Sequence, residues 1–256
     1  MNLRIGLVLT LFITVIGQAG DRIAGTLTRG EGGFTLYTYT NTFANTYLLE
    51  RDGRLLMIDA GLPGDSTGIL AFLAEQGLQP ESIDLLVLTH AHPDHAGNAA
   101  YFQRRFNVPV LAGSGERHIL ASGGYDKHLC SRGLTASIVE KTIASRRYTP
   151  FVPDVVTDTV CRLDDWNWSA EVVPCRSHTS GSLIVKVADM AFVGDLIRGK
   201  NLRPRKPASH LFICDRTENL REITALASED RLETWHPGHG GPLARRDILK
   251  FIEKNR

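Results

Sequence analysis

Within six residues, His90-Ala91-His92-Pro93-Asp94-His95, the chain places four side chains able to bind a metal, directly after the apolar run Leu85-Leu86-Val87-Leu88. That run reads as a buried strand. His90 and His92, two apart at its end, project from the same side of the backbone. Pro93 breaks the extended conformation, so that Asp94 and His95 approach from a different direction. The spacing suits two adjacent ions, one gripped by His90 and His92 and the other by Asp94 and His95. Imidazole nitrogen and carboxylate oxygen are donors that zinc accepts. A lone histidine would mean little, but three imidazoles crowded at a strand end lose more than they gain without a metal.

The 256 residues are 43% hydrophobic and 22% charged, with a net charge of +1. This leaves room for one large core or two tightly packed halves. Near-zero charge offers no argument for nucleic acid or an acidic membrane surface, and a small-molecule substrate is the expected partner. Residues 1–20 are set apart from the fold. Arg4 precedes a twelve-residue apolar stretch, residues 5–16, and Gly17-Gln18-Ala19 ends in small residues. That is the pattern of a secretory signal, which predicts export to the periplasm or medium. The stretch is short for a membrane span, which makes an uncleaved anchor the alternative and a buried first strand the bland one. No later stretch is long enough to cross a bilayer. Cys130, Cys161, Cys175 and Cys214 form no CxxC, so disulfides and buried free thiols both stay open.

Taken in order, residues 34–40 and 45–50 read as strands. Asp52-Gly53 turns the chain into a third strand at 55–60, which ends in Asp59-Ala60-Gly61. Helical spacing at 65–76 leads to the 85–89 strand and the histidine loop, then to a helix at 97–106 and a strand at 108–112. This alternation argues for α/β layers. Residues 113–155 carry one helical pattern, 135–145, and are expected to be an insertion over the mouth of a site, with Tyr125 and Tyr148 as substrate contacts. His118 and His128 lack partners at useful spacing. Strands return at 170–174, 182–187 and 191–194, followed by a helix at 218–227, a short strand at 234–235 and a helix at 244–253. Two halves, each strands then helices, predict one domain made of two sheets covered by helices on both outer faces.

Thr89-His90-Ala91-His92-Pro93-Asp94-His95 resembles the signature of the metallo-β-lactamase superfamily, and four further segments follow that family's order. The resemblance implies an α/β fold, the αββα four-layer sandwich. Asp59 matches a carboxylate that buttresses the metal loop without binding metal, the orienting partner that ligating groups need. Pro174-Cys175-Arg176-Ser177-His178-Thr179-Ser180-Gly181-Ser182 is similar to the third motif, departing from it at Cys175-Arg176-Ser177. Asp195, after Ala191-Phe192-Val193-Gly194, resembles the carboxylate that bridges both metals. In Trp235-His236-Pro237-Gly238-His239-Gly240-Gly241, the family pattern falls on His239, which leaves His236 as a neighbour or substrate contact.

The implied site is His90, His92 and His178 on one metal, Asp94, His95 and His239 on the other, and Asp195 between them. Two divalent ions are expected, zinc first, with iron or manganese as alternatives. The implied reaction is hydrolysis of a small ester, thioester, lactone or lactam, with Asp94 also handling the proton of the leaving group. An acidic residue at 195 points toward the glyoxalase II and lactonase branch. Only seventeen residues follow His239, where classical glyoxalase II carries a helical domain for its glutathione thioester. The basic run Arg198, Lys200, Arg203, Arg205 and Lys206 could grip a carboxylate or phosphate, led by Arg198, or be a solvated loop. A mononuclear iron enzyme similar to persulfide dioxygenases, a phosphodiesterase and a non-catalytic binding module are the competing readings.

Overall fold

The computed structural model describes residues 11–14, 24–29, 33–41, 44–124, 146–213 and 215–256, the first two stretches by backbone alone. Eight strands form the first sheet in sequential order. They are β1 (Leu11–Thr14), β2 (Ala24–Arg29), β3 (Thr35–Asn41), β4 (Ala44–Arg51), β5 (Arg54–Ile58), β6 (Ile83–Val87), β7 (Val110–Gly113) and β8 (Val155–Thr157). Strands β1 to β5 pair antiparallel and β5 to β8 parallel. The change of sense falls where helices begin to make the crossovers, because parallel neighbours need a long connection. Those helices are α1 (Ser66–Glu75), α2 (Pro93–Ala96), α3 (Ala99–Phe106) and α4 (Arg117–Ser122). The β4–β5 turn has Asp52 at φ 54° and Gly53 at φ 76°, the paired positive angles that an Asp-Gly hairpin supplies.

The second sheet runs β16-β15-β12-β11-β10-β9. It comprises β9 (Cys161–Arg162), β10 (Ala170–Pro174), β11 (Leu183–Val187), β12 (Met190–Gly194), β15 (Thr234–Pro237) and β16 (Leu243–Ala244). A separate hairpin, β13 (Arg198–Lys200) with β14 (Arg203–Ala208), takes up the basic run. Helices α5 (Arg216–Ala227) and α6 (Arg245–Asn255) close the chain.

Side-chain alternation sorts the strands into four layers. Leu56, Ile58, Leu85 and Val87 face the second sheet, meeting Val172, Leu183, Val185 and Phe192. Leu55, Met57, Leu86 and Leu88 face outward onto Ile69, Phe72 and Leu73 of α1 and Phe102 of α3. On the far side Ala191, Val193 and Trp235 pack against Ile223 and Leu226 of α5 and Ile248 and Ile252 of α6. Strands covered on both faces must be apolar throughout, which is why residues 85–88 show no alternation. Each large side chain buried this way contributes roughly 1.5–3 kcal/mol. The architecture is the αββα sandwich.

Both described ends of residues 113–155 belong to this fold. Ile119, Leu120, Tyr148 and Phe151 lie in the outer core of the first sheet, and β8 pairs with β7. Tyr125, His128, Cys130 and the 135–145 helical pattern lie outside the described residues, as does Cys214. Leu11–Thr14, inside the expected signal, pairs with β2 as an edge strand, so loss of residues 1–20 would make β2 the edge. Among the described residues no helix is long and apolar enough to cross a membrane. Cys161 and Cys175 are free thiols.

Candidate metal centre

All seven donors converge on the ends of β6, β11, β12 and β15, where the two sheets meet. Strand β6 runs out at Val87, and Leu88 and Thr89 carry the chain into the histidine loop, with His92 extended at φ −64° and ψ 150° before Pro93 opens α2. His90 Nε2 stands 2.9 Å from His92 Nδ1. His178 Nε2 lies 3.2 Å from His90 Nε2 and 3.1 Å from His92 Nδ1. Asp195 Oδ2 closes this group at 3.7 Å from His90 Nε2 and 3.5 Å from His178 Nε2. The second group is His95 Nε2, Asp94 Oδ2 and His239 Nε2, with separations of 3.8 and 3.4 Å to Asp94. Asp195 Oδ1 stands 3.6 Å from His95 Nε2 and 3.4 Å from His239 Nε2.

These spacings fit a cation in each group. Donors bound tetrahedrally at about 2.0–2.1 Å stand about 3.3 Å apart, the middle of the observed range. His95 Nε2 and Asp195 Oδ1 are buried without a hydrogen-bond partner, an expensive arrangement unless something else satisfies them. All the donor residues except His239 are buried. The His239 side chain is 17% exposed, so this is the side open to substrate.

Electrostatics separate the two groups. Burial, then the neighbouring histidines, pushes His90 and His92 well below the ordinary histidine range, and burial lowers His178. All three are neutral and offer lone pairs. Burial works the same way on His95, but Asp59, Asp195 and Asp94 outweigh it and raise the pKa to about 10. His239 is raised too, Asp195 overcoming burial. Burial opposes the charge on Asp195, yet His210, His239 and His95 hold its carboxyl well below the usual range. A cation entering the second group therefore displaces protons as it binds.

Each loop is tied from beneath. Asp59, in a left-handed conformation at φ 60° that aspartate tolerates, accepts the Thr89 N–H at 2.7 Å through Oδ1 and the His95 Nδ1–H at 2.7 Å through Oδ2. That contact turns His95 Nε2 toward the second group. Asn98 donates to the carbonyls of Ala60 and Leu62. Asn45 donates to Pro237 and Gly240 carbonyls, holding the His239 loop to the first sheet. Asn219 joins Ser177 Oγ to the Leu196 carbonyl, linking the His178 and Asp195 loops. Glu116, fully buried, accepts the Ala91 N–H through Oε2 and the Gly181 N–H through Oε1, each at 2.9 Å. It thus joins the His90–His92 loop to the His178 loop. At Gly238 a Cβ would run into His95 Cε1 and Asp195 Oδ1, so only glycine fits.

The residues expected to meet substrate fare differently. His236 is packed inside, stacked on Phe192 at 4.9 Å and edge-on to Tyr47 at 5.5 Å, and burial lowers its pKa to about 3. It is a core residue, because it sits within β15 between the sheets. Tyr148 is also buried, its hydroxyl donating to the Ala91 carbonyl at 2.9 Å, and so supports the histidine loop from behind. Arg198 donates to Ser209 and Gly199 carbonyls and to Asn201; burial pushes His210 well below the ordinary histidine range, with His178, His239 and Arg198 adding to it. A sixth imidazole, His210, joins the five histidines expected from the sequence. Its Nε2 is 3.1 Å from Asp195 Oδ2 and its ring stacks on His239 at 5.6 Å. Alone in Ser209-His210-Leu211, it has no spaced partner to betray it. Glu116, Asn45, Asn98 and Asn219 were equally silent.

A four-layer sandwich with a buried His/Asp metal-binding cluster at the junction of its sheets defines the metallo-hydrolase class. The superfamily model described as "Metallo-beta-lactamase superfamily" matches residues 39–231, and the chain belongs to that superfamily. The chain is similar to "Probable metallo-hydrolase YqgX" of Bacillus subtilis (strain 168), 28% identical over 60% of this chain and 66% of that one. It is 40% identical to "Hydroxyacylglutathione hydrolase" of Stenotrophomonas maltophilia (strain R551-3) over 31% of this chain and 30% of that one. The matches thus span less than two thirds of these relatives' own lengths. Rm3 metallo-beta-lactamase shares the fold with a TM-score of 0.64 at 19% identity, covering 86% of this chain and 88% of that one.

Proposed function

We propose that the chain is a dinuclear metal-dependent hydrolase acting on a small carbonyl substrate, an ester, thioester, lactone or lactam. The observation that carries this reading is the placement of Asp195, whose two oxygens stand 3.4–3.7 Å from histidine nitrogens of opposite groups. In this reading His90, His92 and His178 hold one ion, Asp94, His95 and His239 the other, and Asp195 bridges them. Two divalent cations, zinc in the first instance, would acidify a shared water to a pKa of about 7 and polarise the substrate carbonyl.

The chain's own residues do the rest. The neutral imidazoles leave the first group with little charge besides the Asp195 oxygen, which favours an electron-poor cation able to draw on a carbonyl. Asp94 sits 3.4 Å from His239 on the exposed side, where its carboxylate can pass a proton to the leaving group. Asp59 and Glu116 keep the donors from moving as charge develops. The local likeness to a hydroxyacylglutathione hydrolase supports thioesters as the first substrates to test. Export through residues 1–20 belongs to the same proposal, and N-terminal sequencing of the mature protein tests it.

Metal analysis followed by a screen of thioesters, lactones, esters, β-lactams and phosphodiesters tests the function. Two ions per chain with turnover of a carbonyl substrate is the expected result. One iron per chain with oxygen consumption, or full metal loading with no turnover, would overturn it.

A further inference from the structure

One residue, Phe212, sorts two of the centre's imidazoles into different duties. The Phe212 carbonyl accepts the Nδ1–H of His178 at 2.9 Å. With its proton fixed there, His178 points a bare Nε2 at His90 and His92, as a ligand must. On the other side of the same residue's Cα, the Phe212 N–H donates to His210 Nδ1 at 3.3 Å. His210 is therefore the opposite tautomer, with its proton on Nε2, and that nitrogen stands 3.1 Å from Asp195 Oδ2. A neutral imidazole whose Nδ1 is already accepting a backbone N–H has no lone pair left at Nε2 for a metal. Although Asp195, His210 and His239 form a compact donor cluster by distance, the Phe212 N–H takes up the Nδ1 lone pair of His210 and leaves a proton at Nε2.

We propose that His210 is a positioning residue for the bridging carboxylate, and that its Nε2–H fixes the plane of Asp195 so that each oxygen addresses its own ion. The inference rests on the dinuclear reading above. Oδ2 has one lone pair for the hydrogen bond and one for the first group, while Oδ1 turns to the second. The strap bearing His210 is itself anchored: Arg198 Nε donates to the Ser209 carbonyl at 3.2 Å, and the His210 ring is wedged between His178 at 4.8 Å and His239 at 5.6 Å.

The test is cobalt(II) titration of the metal-free protein, read by competition for affinity and by the visible absorption spectrum for geometry. It is run on wild type, His210→Ala and His210→Gln, with thermal unfolding checking that each variant is folded. The expected result is two ions per chain throughout, affinity weakened about 10- to 100-fold in His210→Ala with a shifted spectrum, and both restored to near wild type in His210→Gln, whose amide N–H can reach the same oxygen. An unchanged His210→Ala protein would overturn the proposal. So would a His210→Gln protein that fails like alanine and shows the spectrum of a lost nitrogen ligand, since His210 would then bind metal itself. Wild-type protein taking up fewer than two ions would instead overturn the dinuclear reading, and this inference with it.

Discussion

The centre is built in two unlike halves. From the first sheet, four donors arrive on one six-residue loop, where buried Asp59 orients both the strand end and His95 and buried Glu116 accepts the Ala91 N–H. From the second sheet the remaining donors arrive on three separate loops, at His178, Asp195 and His239, held by backbone and amide contacts from Phe212, Asn219 and Asn45 and, on the His178 loop, by Glu116 as well. A compact loop can be oriented by two carboxylates. Three loops must each be tied to a neighbour, and every tie adds a place where the site can come apart.

Asp195→Asn breaks the comparison most severely, because this side chain reaches both groups. Metal content should fall below two ions and turnover by more than about 100-fold, beyond the range typical of a lost orienting partner. Retention of both ions and full turnover would place the bridge elsewhere. Asp59→Asn acts on the compact half alone, setting an amide N–H against the Nδ1–H of His95. Metal affinity should weaken about 10- to 100-fold, measured by chelator competition, with the fold intact. Asn219→Ala acts on the dispersed half, where two neutral hydrogen bonds are lost and buried partners are left bare. It should cost about 1–3 kcal/mol of stability in urea unfolding and change metal affinity less than Asp59→Asn does. The reverse order would show that the compact half depends on Asp59 no more than the dispersed half depends on its amide ties.

The smallest effect concerns His236, outside both. Its pKa is lowered from an ordinary 6.5 to about 3, so the unfolded chain takes up a proton first as pH falls. Its share of stability is complete above about pH 6.5 and is lost between there and about pH 3. His236→Phe removes that loss. Urea midpoints should be close to wild type at pH 7.5 and higher than wild type at pH 4.5, and a wild-type slope in the variant would contradict the burial of this ring.

Legibility in the sequence followed the same division. The first-sheet donors declare themselves, because strand period, proline and ligand spacing all act within one short window. His178, Asp195 and His239 carry weight only beside that first group, since each alone is an ordinary turn residue. The four layers were readable from two halves that each run strands then helices, with the family resemblance behind them, and the apolar runs at 85–88 and 191–194 are strands covered on both faces. His236 and Tyr148 misled because polarity in a loop-like context hides burial: one ring sits between the sheets and one hydroxyl reaches the Ala91 carbonyl. The basic run, read as a grip for a carboxylate or phosphate or as a solvated loop, pairs as a hairpin, with Lys206 bound to Asp247 at 2.9 Å. His210 and Glu116 left no signal at all, because their meaning comes from partners at residues 178, 195, 91 and 181, which only folding brings near.

Anomalous scattering from crystals of zinc-loaded protein tests the central claim most directly. The account predicts two peaks per chain about 3.5–4 Å apart, one among His90, His92 and His178, the other among Asp94, His95 and His239, with an oxygen of Asp195 on each. A single peak, or two that do not share Asp195, would contradict it.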